Sequence, residues 1–240
     1  MLRYKNLKKK PKELLAATGL SAEEFEALLA VFAETYEASY AAERTVDGKP
    51  RQRRSGGGGK ATLRAIEDKL LFILVYEKTY PLQTMLGLQF GLSQGRTNIW
   101  IHRLLPVVRQ ALERMKQTPE RDGQAVADSE LAREGGTDLV IDGTERRRQR
   151  PQDADRQQAQ YSGKKKAHTD KNLVLVNRHS QKVVYLSPTQ PGKKHDKKLA
   201  DEASIVYPPG ATLGKDTGFQ GYAPLGVLAW QPKKSPKVGN

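Results

Sequence analysis

The segment Leu139-Val140-Ile141-Asp142-Gly143-Thr144-Glu145 decides how the second half of this chain is interpreted. Its first three residues form an apolar run typical of a short buried strand, and Asp142 follows directly. Two further apolar runs, Asn172 to Asn177 and Val183 to Leu186, come next and are flanked by turn residues. We therefore predict three successive strands in an antiparallel meander.

The residues after this meander continue the same domain. A helix is expected from His195 to Ala203, a fourth strand from Ala211 to Asp216 and a fifth from Leu225 to Gln231, before a basic tail from Lys233 to Asn240. Three strands, a helix and two more strands are typical of a mixed sheet with helices, which is an α+β or α/β domain.

The first half of the chain has helical patterning. After a basic leader, Ser21 and Glu24 have the spacing of a capping box, and we expect a helix from Glu23 to about Tyr40. The stretch from Arg44 to Lys60 is basic, contains four consecutive glycines and has no apolar periodicity. It is expected to be a flexible linker, because nothing in it offsets the entropy of ordering.

A pair of helices joined by a short turn follows this linker. Helical periodicity resumes at Leu63, stops at Tyr80-Pro81 and restarts over Leu82 to Phe90. The turn Gly91-Leu92-Ser93 then precedes a third helix that Ser93 would cap. This spacing fits a helix-turn-helix.

These features divide the chain into four segments. Residues 1–60 hold the leader, the first helix and the glycine-rich linker, 61–116 the helix-turn-helix, 117–136 a polar second linker, and 137–240 the sheet domain.

Composition narrows the class of partner. Lys and Arg number 41 against 27 Asp and Glu, which gives a net charge of +14 and an isoelectric point near 9.8. This balance favours a polyanion, either nucleic acid or an acidic membrane surface. No apolar run approaches the roughly 18 residues of a spanning helix, and the charged start does not resemble a signal peptide. We expect a soluble, cytoplasmic protein.

The same composition restricts the chemistry. The chain has no cysteine, and its four histidines lack the spacing of paired metal ligands. Any metal ion must therefore be held by carboxylates.

A helix-turn-helix would place polar residues of its second helix in the major groove of DNA. Gln94, Arg96 and Asn98 would lie near base edges, and Arg103 lies off the apolar stripe of the same helix. The alternative is a helical bundle whose turn has no role in DNA binding. The net charge favours the DNA-binding interpretation.

Two aspartates carry the candidate chemistry. Asp142 and Asp216 each close an apolar strand, so their carboxylates could meet at one edge of a sheet. Two such carboxylates are the layout that two-metal phosphoryl transfer requires. The alternative for each is an aspartate that caps the following turn.

Basic residues follow the first aspartate. They lie beside the candidate metal site and favour phosphate contacts, although a charge run is more often a solvated loop. The set comprises Arg146, Arg147, Arg148, Arg150, Lys164, Lys165 and Lys166.

At this point the chain resembles a known family. Four ordered motifs, Asp142 to Glu145, Tyr161 to Lys166, Gly192 to Asp196 and Asp216 to Tyr222, look like the DDE superfamily endonuclease domain of bacterial insertion-sequence transposases. The front half resembles the helix-turn-helix segment that accompanies this domain. The resemblance covers nearly the whole chain from about residue 20.

The resemblance implies a ribonuclease-H-like fold for residues 137–240. It further implies a reaction dependent on Mg²⁺ or Mn²⁺ that cuts the element's double-stranded DNA ends and joins them to target DNA. Asp142 and Asp216 match the first two catalytic acids of the family, whereas His195 and Asp196 match a recurrent motif without an assigned catalytic role. Assembly into a homo-oligomer on DNA stays open.

One departure from the family concerns its third acid, a Glu on a helix after the fifth strand. No counterpart precedes Asn240, so we expect a nuclease domain without its last helix, C-terminally truncated. Two alternatives to an active transposase remain. One is a DNA-binding remnant that inhibits an intact enzyme, and the other is a basic RNA-binding protein, which explains the charge but not the two aspartates.

Overall fold

The computed structural model describes residues 1–39, 49, 50, 52 and 62–232, which divide into two units, Met1–Met115 and Lys116–Asn240. Most of the predicted glycine-rich linker and the basic tail from Lys233 lie outside the described residues. The helices of the first unit are α1 Tyr4–Leu7, α2 Pro11–Thr18, α3 Ala22–Ser39, α4 Ile66–Thr79, α5 Gln83–Phe90 and α6 Gln94–Arg114.

The basic leader contains the helices α1 and α2, which the sequence analysis did not predict. Tyr4 is buried in the same core as α4, and its ring stacks on Phe25 with centroids 4.3 Å apart. The backbone N–H of Tyr4 donates to Asp68 at 2.8 Å, and Arg3 forms a 2.9 Å ion pair with the same carboxylate. Because its charges lie among buried apolar residues, composition alone did not reveal this packing.

Helix α3 begins where its cap predicts. The N–H of Ser21 donates to Glu24 at 2.7 Å, and the N–H of Glu24 donates to the Ser21 hydroxyl at 3.2 Å. Both halves of the capping box are therefore present, and the predicted helix start is confirmed within one residue.

Helices α4, α5 and α6 form the predicted helix-turn-helix sequence. Helix α5 ends at Gly91, whose φ of 69° is left-handed, and Ser93 caps α6. A Cβ on Gly87 would lie 2.5 Å from the carbonyl oxygen of Leu92, so the close approach of α5 to the turn requires glycine.

The second unit combines a mixed sheet with short helices. Its elements are α7 Glu130–Arg133, β1 Asp138–Arg147, α8 Ala154–Gln160, β2 Tyr161–Ser162, β3 Ala167–Asn177, β4 Val183–Leu186, β5 Gln190–Pro191, α9 Asp196–Ala203, β6 Thr212–Lys215 and β7 Leu228–Trp230. The strand order is β2-β3-β1-β6-β7, with β4 and β5 also paired to β3. Strand β1 is antiparallel to β3 and parallel to β6, and β6 is parallel to β7. The α+β class is confirmed.

Two strands are longer than predicted. Strand β1 continues to Arg147 and β3 begins at Ala167, so they form a long ribbon in the register Leu139 with Asn177 to Arg147 with Thr169. The residues from Gly143 onwards were interpreted as loop because they are polar, but backbone pairing along the ribbon holds them extended.

The interval 117–136, predicted as a linker, contributes to the second core. A 3₁₀ turn at Gly123–Asp128 precedes α7, and Val126, Leu131 and Ala132 are buried against the sheet. The mostly polar composition of the interval and its glycines hid this contribution. Helix α8 was also missed, because none of its residues is buried and its sequence carries no apolar stripe.

Candidate functional site

Asp142 lies on β1, and Asp216 directly follows β6, the strand parallel to β1. Strands β1 and β6 pair in the register Ile141 with Lys215, and each aspartate is the next residue of its chain segment. Adjacent strands are about 4.8 Å apart. The structure therefore brings the two predicted acids side by side at one edge of the sheet.

Each carboxylate also makes a local backbone contact. Asp142 accepts a hydrogen bond from the N–H of Gly143 at 2.7 Å, and Asp216 accepts one from Gly218 at 2.8 Å and caps the 3₁₀ turn Thr217–Phe219. Both residues are exposed. Asp142 lies within β1 rather than at its predicted end, because the strand continues to Arg147.

A third carboxylate, Asp196, packs against the same two segments. A Cβ on Gly143 would lie 2.5 Å from its Oδ1, and a Cβ on Gly218 would lie 3.0 Å from both Asp196 Oδ2 and Asp216 Oδ1. Asp196 thus contacts the residue after Asp142 and lies close to Asp216. Only glycine fits at either contact without displacing this carboxylate.

Lys171 holds Asp196 in this position. Its ammonium lies 3.0 Å from Asp196 Oδ1 and 3.1 Å from Glu145 Oε1, and it donates to the carbonyl of Lys194 at 2.8 Å. The side chains of Lys171 and Glu145 are 6% and 7% exposed, so their charges are shielded from solvent. We call Glu145, Lys171 and Asp196 the buried ion triad.

The electrostatics of the triad follow from its contacts. Burial acts to raise the pKa of Glu145, but hydrogen bonds from Ser162 and Lys171, the Lys171 charge and a Thr169 hydroxyl at 3.1 Å together hold that pKa below its ordinary value. Glu145 is therefore ionised near neutrality, and the triad carries one net negative charge when Asp196 is ionised too.

Sequence reasoning missed the triad as a unit, although a signal was present. Glu145 shares the strand parity of the buried Leu139 and Ile141, and Lys171 shares that of Leu173. A charged residue at a core-facing position requires a partner of opposite charge. The alternation of inward-facing and outward-facing residues along β1 and β3 thus indicated that Glu145 and Lys171 are buried. It could not indicate that Asp196, which lies on α9, is their partner.

The donor set at the sheet edge suits a hard divalent cation. Mg²⁺ binds through one or two carboxylates and retains several waters, and the exposed oxygens of Asp142 and Asp216 are such ligands. Within residues 1–39, 49, 50, 52 and 62–232, no group of three or more His, Asp or Glu is arranged to hold a metal ion. The charge of Asp196 is directed to Lys171 instead.

The predicted phosphate-binding residues surround one end of the β1–β3 ribbon. Arg146 and Arg147 lie on β1 rather than in a loop, and both are exposed. Arg148 is paired with Asp170 at 2.9 Å. Lys164, Lys165 and Lys166 form the exposed turn between β2 and β3.

The candidate recognition residues occupy two different environments. Gln94 and Arg96 are exposed at the start of α6, where Gln94 donates to Gln83 at 2.7 Å, and Asn98 is half-buried. Arg103 lies over the Trp100 ring at 5.1 Å and also interacts with Tyr36. Its guanidinium therefore contributes to packing within the unit.

Known proteins match both parts of the chain. A family described as "DDE superfamily endonuclease" matches residues 141–235, and one described as "Helix-turn-helix of DDE superfamily endonuclease" matches residues 62–114. The chain is 26% identical over 183 residues to a "Probable transposase for insertion sequence element IS702" from Microchaete diplosiphon. That alignment covers 75% of this chain and 61% of the relative, so the chain spans less than two thirds of the relative's length. No solved structure matches.

Among the described residues, no helix is both long enough and apolar enough to cross a bilayer.

Proposed function

The chain belongs to the DDE-type insertion-sequence transposases with an N-terminal helix-turn-helix, and from that premise we propose that it binds the double-stranded ends of its element and cuts and joins DNA there. The observation that supports this proposal is the position of Asp142 and Asp216, which directly follow the paired residues Ile141 and Lys215 of two parallel strands. Phosphoryl transfer on DNA needs carboxylates that lie together and hold metal ions. It also needs basic side chains around them that bind the phosphates of the DNA backbone.

Asp142 and Asp216 would hold Mg²⁺ or Mn²⁺ through their exposed oxygens. The bound ion supplies activation of the attacking oxygen and stabilisation of the leaving one. The chain's own part is to fix the two carboxylates. Asp196 packs against Gly143 after Asp142 and against Gly218 after Asp216, and its ion pair with the buried Lys171 fixes its position.

DNA would be held by two sets of residues with different tasks. Arg146, Arg147 and the turn Lys164–Lys166 would bind phosphates and hold the strand against the repulsion of the carboxylates. Gln94, Arg96 and Asn98 would contact base edges or nearby phosphates from α6. The proposed setting is DNA in the bacterial cytoplasm, at the nucleoid, and the mixed sheet would be the core of a ribonuclease-H-like domain.

A second candidate is DNA binding without cleavage, as a remnant or inhibitor of an intact transposase. It is favoured by one observation: among the described residues at this sheet edge, Asp142 and Asp216 are exposed, whereas the third carboxylate, Asp196, is engaged by Lys171. Placing two cations normally requires a further anionic ligand.

Plasmid nicking separates these candidates. The wild type, Asp142→Ala and Asp216→Ala would be incubated with supercoiled DNA and Mn²⁺, and binding to a labelled duplex would be measured in parallel. Nicking that both substitutions abolish supports the transposase. Retained duplex binding without nicking supports the inhibitor, and a wild type that binds no duplex at low salt refutes both.

A further inference from the structure

A depression of about 530 Å³ lies at the end of the β1–β3 ribbon away from the two aspartates. It is bounded by α8, by strands β2 and β3, and by the loop before α9. The side chains that line it and matter here are Arg150, Gln157, Gln158, Tyr161, His168 and Lys193. None of the residues around it is acidic, in a unit that carries many carboxylates.

The depression contains an exposed aromatic ring. Tyr161 is 45% exposed, and its ring meets that of His168 edge to face, with centroids 5.6 Å apart. The pair Tyr161 with His168 is also a backbone pair between β2 and β3. The ring is therefore held in place by the hairpin while a large part of its surface stays open.

Cations flank this ring. Arg150 is oriented by two hydrogen bonds, from Nε at 2.9 Å and Nη2 at 2.8 Å, to the side-chain oxygen of Gln157. Lys193 is exposed and its backbone N–H donates to Ala159 at 3.2 Å, which anchors the loop that carries it. Among the described residues, neither cation forms an ion pair with a carboxylate. Their charges are available to an anion.

We infer that this depression binds one unpaired nucleotide of a DNA strand, with its base stacked on Tyr161 and its phosphate between Arg150 and Lys193. An aromatic face beside unpaired cations is the combination that single-stranded DNA requires, because stacking tolerates any base and the cations follow the backbone. A base within a duplex has both faces covered by the neighbouring bases, so only an unpaired base can stack on the Tyr161 ring. Gln157 and Gln158 offer amide groups to the base edge.

The depression is close enough to Asp142 and Asp216 for one DNA strand to reach both. Arg148, whose backbone N–H donates to the carbonyl of His168 in the depression at 3.0 Å, follows Asp142 by six residues of nearly extended chain, or about 20 Å at 3.4 Å per residue. A strand reacting at Asp142 and Asp216 would therefore reach the depression within a few nucleotides. This inference rests on the proposed function, since it assumes that DNA is the substrate.

The test uses the full chain and an oligonucleotide with a single 2-aminopurine, either alone or annealed to its complement. We expect the emission of the single strand to be quenched on binding, because the base stacks on the ring. Tyr161→Ala should weaken single-strand binding by about 5- to 100-fold, with less than about two-fold effect on the duplex. Tyr161→Phe should bind like the wild type, and Tyr161→Leu, which keeps the apolar contact of the hairpin, should bind like Tyr161→Ala.

Charge is tested separately. Lys193→Ala should reduce the slope of log affinity against log salt by about 0.7 for the single strand. Lys182→Ala is the matched control. Lys182 is already paired with Glu134 at 2.8 Å, so this substitution should leave the slope unchanged.

The outcomes distinguish the two proposals. Equal single-strand quenching by wild type and Tyr161→Leu, with salt-dependent duplex binding intact, would overturn this inference and leave the proposed function standing. A wild type that binds neither form of DNA at low salt would overturn both.

Discussion

The ammonium of Lys171 lies 3.0 Å from the carboxylate of Asp196, which in turn packs against Gly143, the residue after Asp142. Lys171 on β3 therefore positions Asp196 at the start of α9, and Asp196 in turn packs against the backbone next to the candidate catalytic acid Asp142. The triad stabilises the fold only while both signs of charge are present, because a buried charge without a partner is costly.

Lys171→Met should lower the free energy of unfolding of the second unit by about 3 to 5 kcal/mol, because it leaves Glu145 and Asp196 without their cation. Urea unfolding followed by circular dichroism measures this. The triple variant that also carries Glu145→Gln and Asp196→Asn should recover most of the loss. Lys182→Met, at an exposed pair, should cost less than about 1 kcal/mol, and an equal loss in both lysine variants would contradict the role of the triad.

Acidification should destabilise the second unit through Glu145. Its pKa is lowered in the folded state from the ordinary 4.5, so its stabilising contribution is full above that value and declines as the pH falls through the folded pKa. Glu145→Gln should flatten the dependence of the unfolding midpoint on pH below about 4.5. Thermal melts at several pH values check this, and an unchanged slope in the variant would show that other carboxylates dominate.

Gly143→Ala should displace Asp196 and disturb Asp142. The added Cβ would lie 2.5 Å from Asp196 Oδ1, and such overpacking costs about 1 to 3 kcal/mol. Gly163→Ala is the control, because nothing lies within 4 Å of its added Cβ. Combining Gly143→Ala with Asp196→Ala should be less than additive in unfolding free energy, and full additivity would mean that the two residues do not interact.

Local sequence patterns were sufficient to predict features that depend on residues close together in the chain. The capping box predicted the start of α3, and the apolar run from Leu139 to Ile141 predicted the buried half of β1. The expectation that Asp142 and Asp216 could meet at one edge of a sheet came from the apolar run before each aspartate. These features depend on neighbours within a few residues, which a sequence displays directly.

Packing between distant segments was not predictable in the same way. Tyr4 and Asp68 meet because α1 folds onto α4, and Lys171 meets Asp196 because α9 begins over the ribbon. Nothing in the leader or in the Lys-rich segments distinguishes a charge that will be buried from one that stays solvated. Helix α8 is held by its Asp153 cap and by β3 without an apolar stripe, so periodicity could not reveal it.

Arg96→Ala and Arg147→Ala should weaken DNA binding in different ways. Arg96 lies at the exposed start of α6, so its loss should reduce the preference for the element's end over an unrelated duplex. Arg147, on the ribbon, should weaken both duplexes alike and reduce the salt slope by about 1. Fluorescence anisotropy on the two duplexes at three salt concentrations measures both effects, with Arg109→Ala, already paired with Glu113, as the control. If Arg96→Ala weakened both duplexes equally, α6 would not be the recognition helix.

Asp142→Asn should stabilise the second unit in the absence of divalent ions and remove its response to them. Asp142 and Asp216 each follow one residue of the pair Ile141 with Lys215 on parallel strands. Like charges on neighbouring strands are destabilising, so neutralising one should raise the free energy of unfolding by about 0.2 to 1 kcal/mol. In the wild type, a bound cation offsets that repulsion, and saturation with Mn²⁺ to ten times its dissociation constant should add about 1.4 kcal/mol. Differential scanning calorimetry with and without Mn²⁺ measures both effects.

Asp170→Asn, at a carboxylate paired with Arg148, is the control that should show no gain without Mn²⁺ and a wild-type response with it. An Asp142→Asn variant that melts below the wild type and keeps the full Mn²⁺ response would mean that the ion binds elsewhere and that this sheet edge is not the catalytic centre.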